Sequence, residues 1–126
     1  MKLEKIAPLI FSTIVVFSAC SEPVELGKPI PEARRIKIRE ITDTPSVYAD
    51  DTVEVEGEIR GGAVYKIIDG NAELLLAPVG FDLPDSLIGG KASCQGLVFY
   101  HEERGEPGLA AYYIKVRPPR RRAGGS

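Results

Sequence analysis

The chain has 126 residues, with 16 Lys and Arg against 18 Asp and Glu, one His, two Cys and no Trp, and a net charge of −2. That length fits one small domain and leaves no room for two. One His and two distant Cys provide almost no material for a zinc site or a Cys/His nucleophilic pair, and the near-neutral balance gives no general polyanion footprint. With 44% apolar and 27% charged residues the chain is not disordered as a whole, while 13 Gly and 10 Pro indicate many turns and favour an all-β fold.

Met1–Lys5 carries Lys2 and Lys5, and residues 6–17 form an uncharged, mostly apolar run that ends in Ser18 and Ala19 before Cys20. A basic start, a short apolar stretch and small residues before the break are the parts of an export signal. The run falls short of the roughly 20 residues a membrane-spanning helix needs. Phe17-Ser18-Ala19-Cys20 resembles the lipobox of bacterial lipoproteins, with Phe17 in place of the usual Leu. The resemblance implies that residues 1–19 are a signal peptide and that Cys20 is acylated and becomes the mature N-terminus. An ordinary secretory peptide or an uncleaved anchor would share the apolar run. Ser21 after the cysteine, rather than Asp, implies sorting to the outer membrane of a double-membrane bacterium, with the domain facing the periplasm.

Residues 20–33 contain Pro23, Pro29 and Pro31 without apolar periodicity and are expected to be a tether reaching about 40 Å at full extension. The folded domain is expected over residues 34–117, and residues 118–126 read as a basic tail with nothing to bury. Ile36 and Ile38 alternate with Lys37 and Arg39, which predicts a short strand, and Thr44-Pro45 predicts the start of a short helix ending near Asp50. Val53 to Ile59 alternates strictly, with Val53, Val55 and Ile59 on one face and Glu54, Glu56 and Glu58 on the other. Residues 64–68 and 72–77, joined across Asp69-Gly70, predict a hairpin. A short helical turn is expected within Leu83–Gly90, and two last strands over 92–99 and 109–116, separated by a polar loop, His101–Gly108, with Gly and Pro as breakers. Gly57 and Gly96 inside strands predict bends or bulges.

This order resembles OB-fold sequences: a five-stranded Greek-key barrel with one or two short helices. The wording is similar through Thr44-Pro45-Ser46-Val47-Tyr48, residues 51–59, Asp69-Gly70, Gly90-Lys91 and Gly96. Residues 80–91 also resemble small bacterial envelope lipoproteins and secreted OB domains. Those relatives carry a Cys-x-x-x-Gly-Cys-Trp stretch where this chain reads Ile59-Arg60-Gly61-Gly62-Ala63-Val64-Tyr65, so no metal or redox role carries over. Leu83-Pro84-Asp85 is similar to a segment of the OB-fold haem chaperones, but His101 stands one strand too early to match their haem ligand.

Candidate ligand-binding residues are Tyr100, His101, Tyr112 and Tyr113, because OB domains stack ligands on aromatics of their strands and loops. Arg117, Arg120, Arg121 and Arg122 form the only basic run and are expected to touch anionic lipid or lipopolysaccharide rather than read a sequence. Cys94, on an apolar strand face, is expected to be buried and inert. Glu54, Glu56 and Glu58 would repel a phosphate chain, which speaks against a nucleic-acid partner. These features point to a non-catalytic binding or adaptor domain, lipid-anchored on the envelope through Cys20, meeting a protein, glycan or small ligand. No cofactor, metal or catalytic residue is expected. A haem or metal carrier, or an oligonucleotide- or oligosaccharide-binding domain, is the alternative. If Cys20 is the acyl acceptor, Cys20→Ala will abolish incorporation of labelled fatty acid, whereas equal label on both proteins would contradict it.

Overall fold

The computed structural model describes residues 22–119; Cys20, Arg120, Arg121 and Arg122 lie outside them. In chain order the elements are strands β1 (Val24–Gly27) and β2 (Arg34–Arg35), helices α1 (Ile38–Asp43) and α2 (Pro45–Tyr48), and strands β3 (Thr52–Arg60), β4 (Tyr65–Asp69) and β5 (Ala72–Pro78). A 3₁₀ turn (Asp85–Leu87) leads to β6 (Lys91–His101) and β7 (Glu106–Arg117). β3 pairs antiparallel with both β4 and β6, β4 with β5, and β6 with β7, while β5 and β7 run parallel. The ring β3-β4-β5-β7-β6 therefore closes on itself: an all-β, five-stranded Greek-key barrel of OB type.

Closure requires strands to coil across the core, and two glycines permit it. At Gly57 a Cβ would press on the carbonyl of Ile68 in β4, 2.6 Å away. At Gly96 a Cβ would fall on the carbonyl oxygen of Ala110. The register between β6 and β7 slips there, with Gln95 opposite Tyr113 and Gly96 opposite Ala111, so Tyr112 is the extra residue of a bulge.

The alternation of β3 holds: Val53, Val55 and Ile59 are fully buried, with Ile67, Leu74, Val98, Leu109 and Ile114 around them. Cys94 is buried in the same core, and desolvation pushes its thiol up to about 12, so it carries negligible thiolate at neutral pH. The barrel ends are plugged from the flanks. α1 packs against β3, β4, β5 and β7, inserting Ile38 and Ile41. Opposite, where β3 ends and β6 begins, Leu83 and Leu87 enter the core while Gly89 donates to the carbonyl of Ile59.

Two expectations need correction. The strand over Ile36–Arg39 is instead the entry to α1, because Ile38 and Ile41, three residues apart, both face the core; the strand pairing is made by Arg34 and Arg35, parallel to Val53 and Glu54. Residues 22–33 are not a free tether. Val24–Gly27 pairs antiparallel with Tyr113–Val116, Lys28 N–H donates to the Tyr112 carbonyl, and Ile30 N–H donates to the Gln95 side chain. Backbone pairing needs no apolar periodicity, so the sequence pattern gave no sign of it.

Gly96→Val will remove cooperative melting or lower the Tm by at least about 15 °C, since the barrel cannot close around the new side chain and roughly 1 kcal/mol shifts a domain of this size by 4–8 °C. Gly70→Ala, at a hairpin turn with φ 65° and open space, will cost only about 1 kcal/mol. A wild-type melt for Gly96→Val would contradict the closure.

Candidate functional site

The outward side of β3, β6 and β7, where the sequence places an acidic row, is crossed at Glu54, Gln95 and Tyr113 by the chain's own N-terminal segment, while Glu56 and Glu58 remain accessible. Glu54 is its centre. Its carboxylate accepts from Gln95 Nε2 (2.9 Å), Ser93 Oγ (3.0 Å) and Arg35 Nη2 (2.8 Å). These bonds, that from Gln95 first, outweigh partial burial and hold Glu54 below its ordinary 4.5. Tyr113 is buried beneath the same segment, its hydroxyl donating to Glu25 (2.6 Å); desolvation first and then this acceptor push it up to about 12.

Also open is the outer side of β4 and β5, bounded by the loops β3–β4 (residues 61–64) and β6–β7 (residues 102–105). A cleft of about 310 Å³ lies there, lined by Arg60, Gly61, Gly62, Lys66, Glu73 and Arg104 among others. The β6–β7 loop is shaped locally: Gly105 takes φ 67° and donates to the His101 carbonyl, and His101 Nδ1 accepts the N–H of Arg104 (3.1 Å). A chain of charges ties that loop to the hairpin. Arg104 Nε meets Glu106 (3.2 Å), Glu106 meets Lys66 Nζ (3.7 Å), and Lys66 meets Glu73 (3.0 Å). The Glu73 hydrogen bond leads in raising Lys66 above its ordinary 10.5. Arg60 pairs with Glu58 (3.4 Å). Each cation here already has a carboxylate, so the cleft offers alternating donors and acceptors rather than a positive track.

A second concavity, about 590 Å³, lies at the barrel end where β6 begins and β7 finishes. Glu56, Glu58 and Asp69 form one side, and Lys91, Lys115 and Arg117 the other.

The aromatic candidates are not one cluster. Tyr100 is half exposed at the end of β6 opposite Pro107, and with His101 it flanks the loop that bears Arg104. Tyr112 and Tyr113 are level with Gln95, five residues and about 17 Å back along β6. Tyr112 is exposed, whereas Tyr113 lies under β1 and is inaccessible to a ligand on that face. Arg117 is exposed at the end of β7. Sequence reading passed over Arg60, Lys66, Lys91, Arg104 and Lys115. The adjacent Gly61-Gly62 is a turn signal that could have located this loop, but only strand pairing shows which charges it faces. Among the described residues no three His, Cys, Asp or Glu side chains gather as a metal site, and no helix is long and apolar enough to cross a membrane.

No family model and no curated protein matches this chain. Among solved structures it is similar to the crystal structure of a "putative aspartyl-tRNA synthetase" from Leishmania major Friedlin, with a TM-score of 0.54 and 14% identity. The likeness is one of fold. It covers 89% of this chain and 27% of that one.

The lowered Glu54 gives a pH dependence with a definite sign. A carboxylate held down in the folded state adds stability that is fully present above its ordinary 4.5 and is lost as pH falls through its lower folded value. Glu54→Gln will therefore reduce the Tm at pH 7 and flatten its fall below about pH 4.5. Parallel acid limbs for the two proteins would contradict the role of Glu54.

Proposed function

We propose that this chain is a non-catalytic binding module, held on the bacterial envelope by a lipid on Cys20, that receives its ligand in the cleft between the β3–β4 and β6–β7 loops. One observation carries the reading. Among the outward faces of this OB-like barrel, the β4–β5 side with its two flanking loops is open, and that is the side on which OB barrels take extended oligonucleotides and oligosaccharides. The cleft's chemistry narrows the ligand class. Arg60, Lys66 and Arg104 are each matched by Glu58, Glu73 or Glu106, which suits a ligand rich in hydroxyl or amide groups, a glycan or a peptide, better than a phosphate backbone. Tyr100 and His101 at the loop's edge supply an apolar and aromatic border.

Placement on the envelope rests on the lipobox-like residues 17–20 and on Ser21. A photo-crosslinking residue replacing Gly62 or Arg104 in living cells is expected to give a discrete adduct, with the chain in the membrane fraction. The same residue at Val47, exposed on α2 outside the cleft, is expected to give none. Identical patterns at all three positions would overturn the cleft as the binding site. Recovery in the soluble fraction without an acyl group on Cys20 would overturn the anchor.

A further inference from the structure

The only histidine of the chain, His101, folds the β6–β7 loop back on itself. Its carbonyl accepts the N–H of Gly105, which takes φ 67°, and its ring Nδ1 accepts the N–H of Arg104 (3.1 Å). A ring nitrogen that accepts carries no proton, so the imidazole in this arrangement is neutral, with its hydrogen on Nε2. Protonation at Nδ1 abolishes that bond, because both partners are then donors. The loop beside the cleft is thus held by a contact that one proton removes.

The charged groups around the ring belong to one network. In the β6–β7 ladder His101 stands directly opposite Glu106, whose carboxylate oxygens meet Arg104 Nε (3.2 Å) and Lys66 Nζ of β4 (3.7 Å). Glu73 of β5 holds Lys66 from the other side (3.0 Å). Glu102 and Glu103 stand in the loop itself, and Tyr100 precedes the ring in β6, across from Pro107. Backbone pairing between β5 and β7 begins only at Leu75 and Gly108, so on the loop side of that point the seam is spanned by side chains. Among the described residues Lys66 carries the ion pairs that cross it, to Glu73 and to Glu106. Glu106 therefore joins the loop to the hairpin, and it faces the histidine.

We propose that His101 is a pH-sensitive latch on the cleft: once protonated, it lets go of the Arg104 amide, turns to the Glu106 carboxylate opposite, and frees the Arg104 guanidinium for a carboxylate of the ligand. Such control rests on the cleft being the ligand site, the reading above, and deepens it by naming how that site is regulated. Two effects act in the same direction. Loss of the Nδ1 acceptor loosens the turn from His101 to Gly105, and an imidazolium opposite Glu106 competes with Arg104 for that carboxylate. Lys66 keeps Glu73, so the hairpin stays neutralised while the loop opens. Histidine side chains change charge between about pH 5 and 8, a range in which carboxylates as a class stay ionised, so the loop is latched at the upper end of that range and released at the lower.

An NMR titration of the chain without ligand, from about pH 8 to about pH 5, tests the latch. With one histidine in the sequence, the ring signals of the untagged protein belong to His101 alone. The Arg104 amide proton is expected to move upfield with the same midpoint as the ring, and the heteronuclear NOE of residues 102–105 to fall with it. In His101→Asn, whose side-chain oxygen accepts the same N–H without titrating, the Arg104 amide is expected to stay in place across the range. An Arg104 amide indifferent to the ring, or one that moves equally in His101→Asn, would overturn the latch. Control of the cleft is read separately, with the photo-crosslinking residue at Gly62 irradiated in isolated envelopes at the two ends of the range. The adduct yield is expected to differ at least threefold. Equal yields while the latch titrates would overturn the regulation and leave the cleft as the binding site. No adduct at either pH would overturn the cleft itself, and with it the regulation, while the titration still decides the latch.

Discussion

Everything in this molecule depends on closing a five-stranded ring with one parallel pair, β5 beside β7, among antiparallel neighbours. A ring that small forces its strands to coil, and the chain meets the demand where side chains are missing: at Gly57, against the Ile68 carbonyl, and at Gly96, against Ala110. The bulge beside Gly96 then has consequences beyond closure. It changes the facing of the strand, so Tyr112 points to solvent while Tyr113 turns under β1 and finds Glu25. A backbone requirement of the core thus decides which aromatic residues a ligand can reach.

A domain of this size has little core to spare, and its flanking segments supply what the barrel lacks. Ile38 and Ile41 of α1 stop one end, Leu83 and Leu87 the other. OB barrels more often use a helix between their third and fourth strands, and here that connection holds only a 3₁₀ turn. The N-terminal strand extends the sheet along β7, and Glu54 gathers Arg35, Ser93 and Gln95 to bind the segment leading into the barrel. A partly buried acceptor with several hydrogen bonds fixes position more firmly than exposed ion pairs do. The arrangement leaves a paired N-terminal side, an accessible β4–β5 side and a barrel end of mixed charge.

Much of the barrel was legible because its signals are local. Strict alternation from Val53 to Ile59, Asp69-Gly70 between two apolar runs, and glycines inside strands each have a direct physical reading, and each appears where expected. Cys94 followed from its apolar neighbours. The errors came where partners are distant in sequence. Val24–Gly27 is a strand only because the edge of β7, some 90 residues later, pairs with it, and Ile36-Lys37-Ile38-Arg39 shows a two-residue period that the core overrides through Ile38 and Ile41. The site was less legible than the fold. Tyr112 and Tyr113 were adjacent in sequence and therefore grouped, whereas the opposition of Lys91 and Arg117 exists only in the folded register.

The account turns on residues 24–30 being part of the barrel, since that docking covers Tyr113 and completes the Glu54 cluster. Amide hydrogen exchange at Lys28 and Ile30 measures it most directly, because their N–H groups bond to Tyr112 and to Gln95. Both amides are predicted to exchange orders of magnitude more slowly than an unstructured chain, opening together with β7. Exchange at the unstructured rate would show a free tether and would contradict the docking of this segment on the barrel.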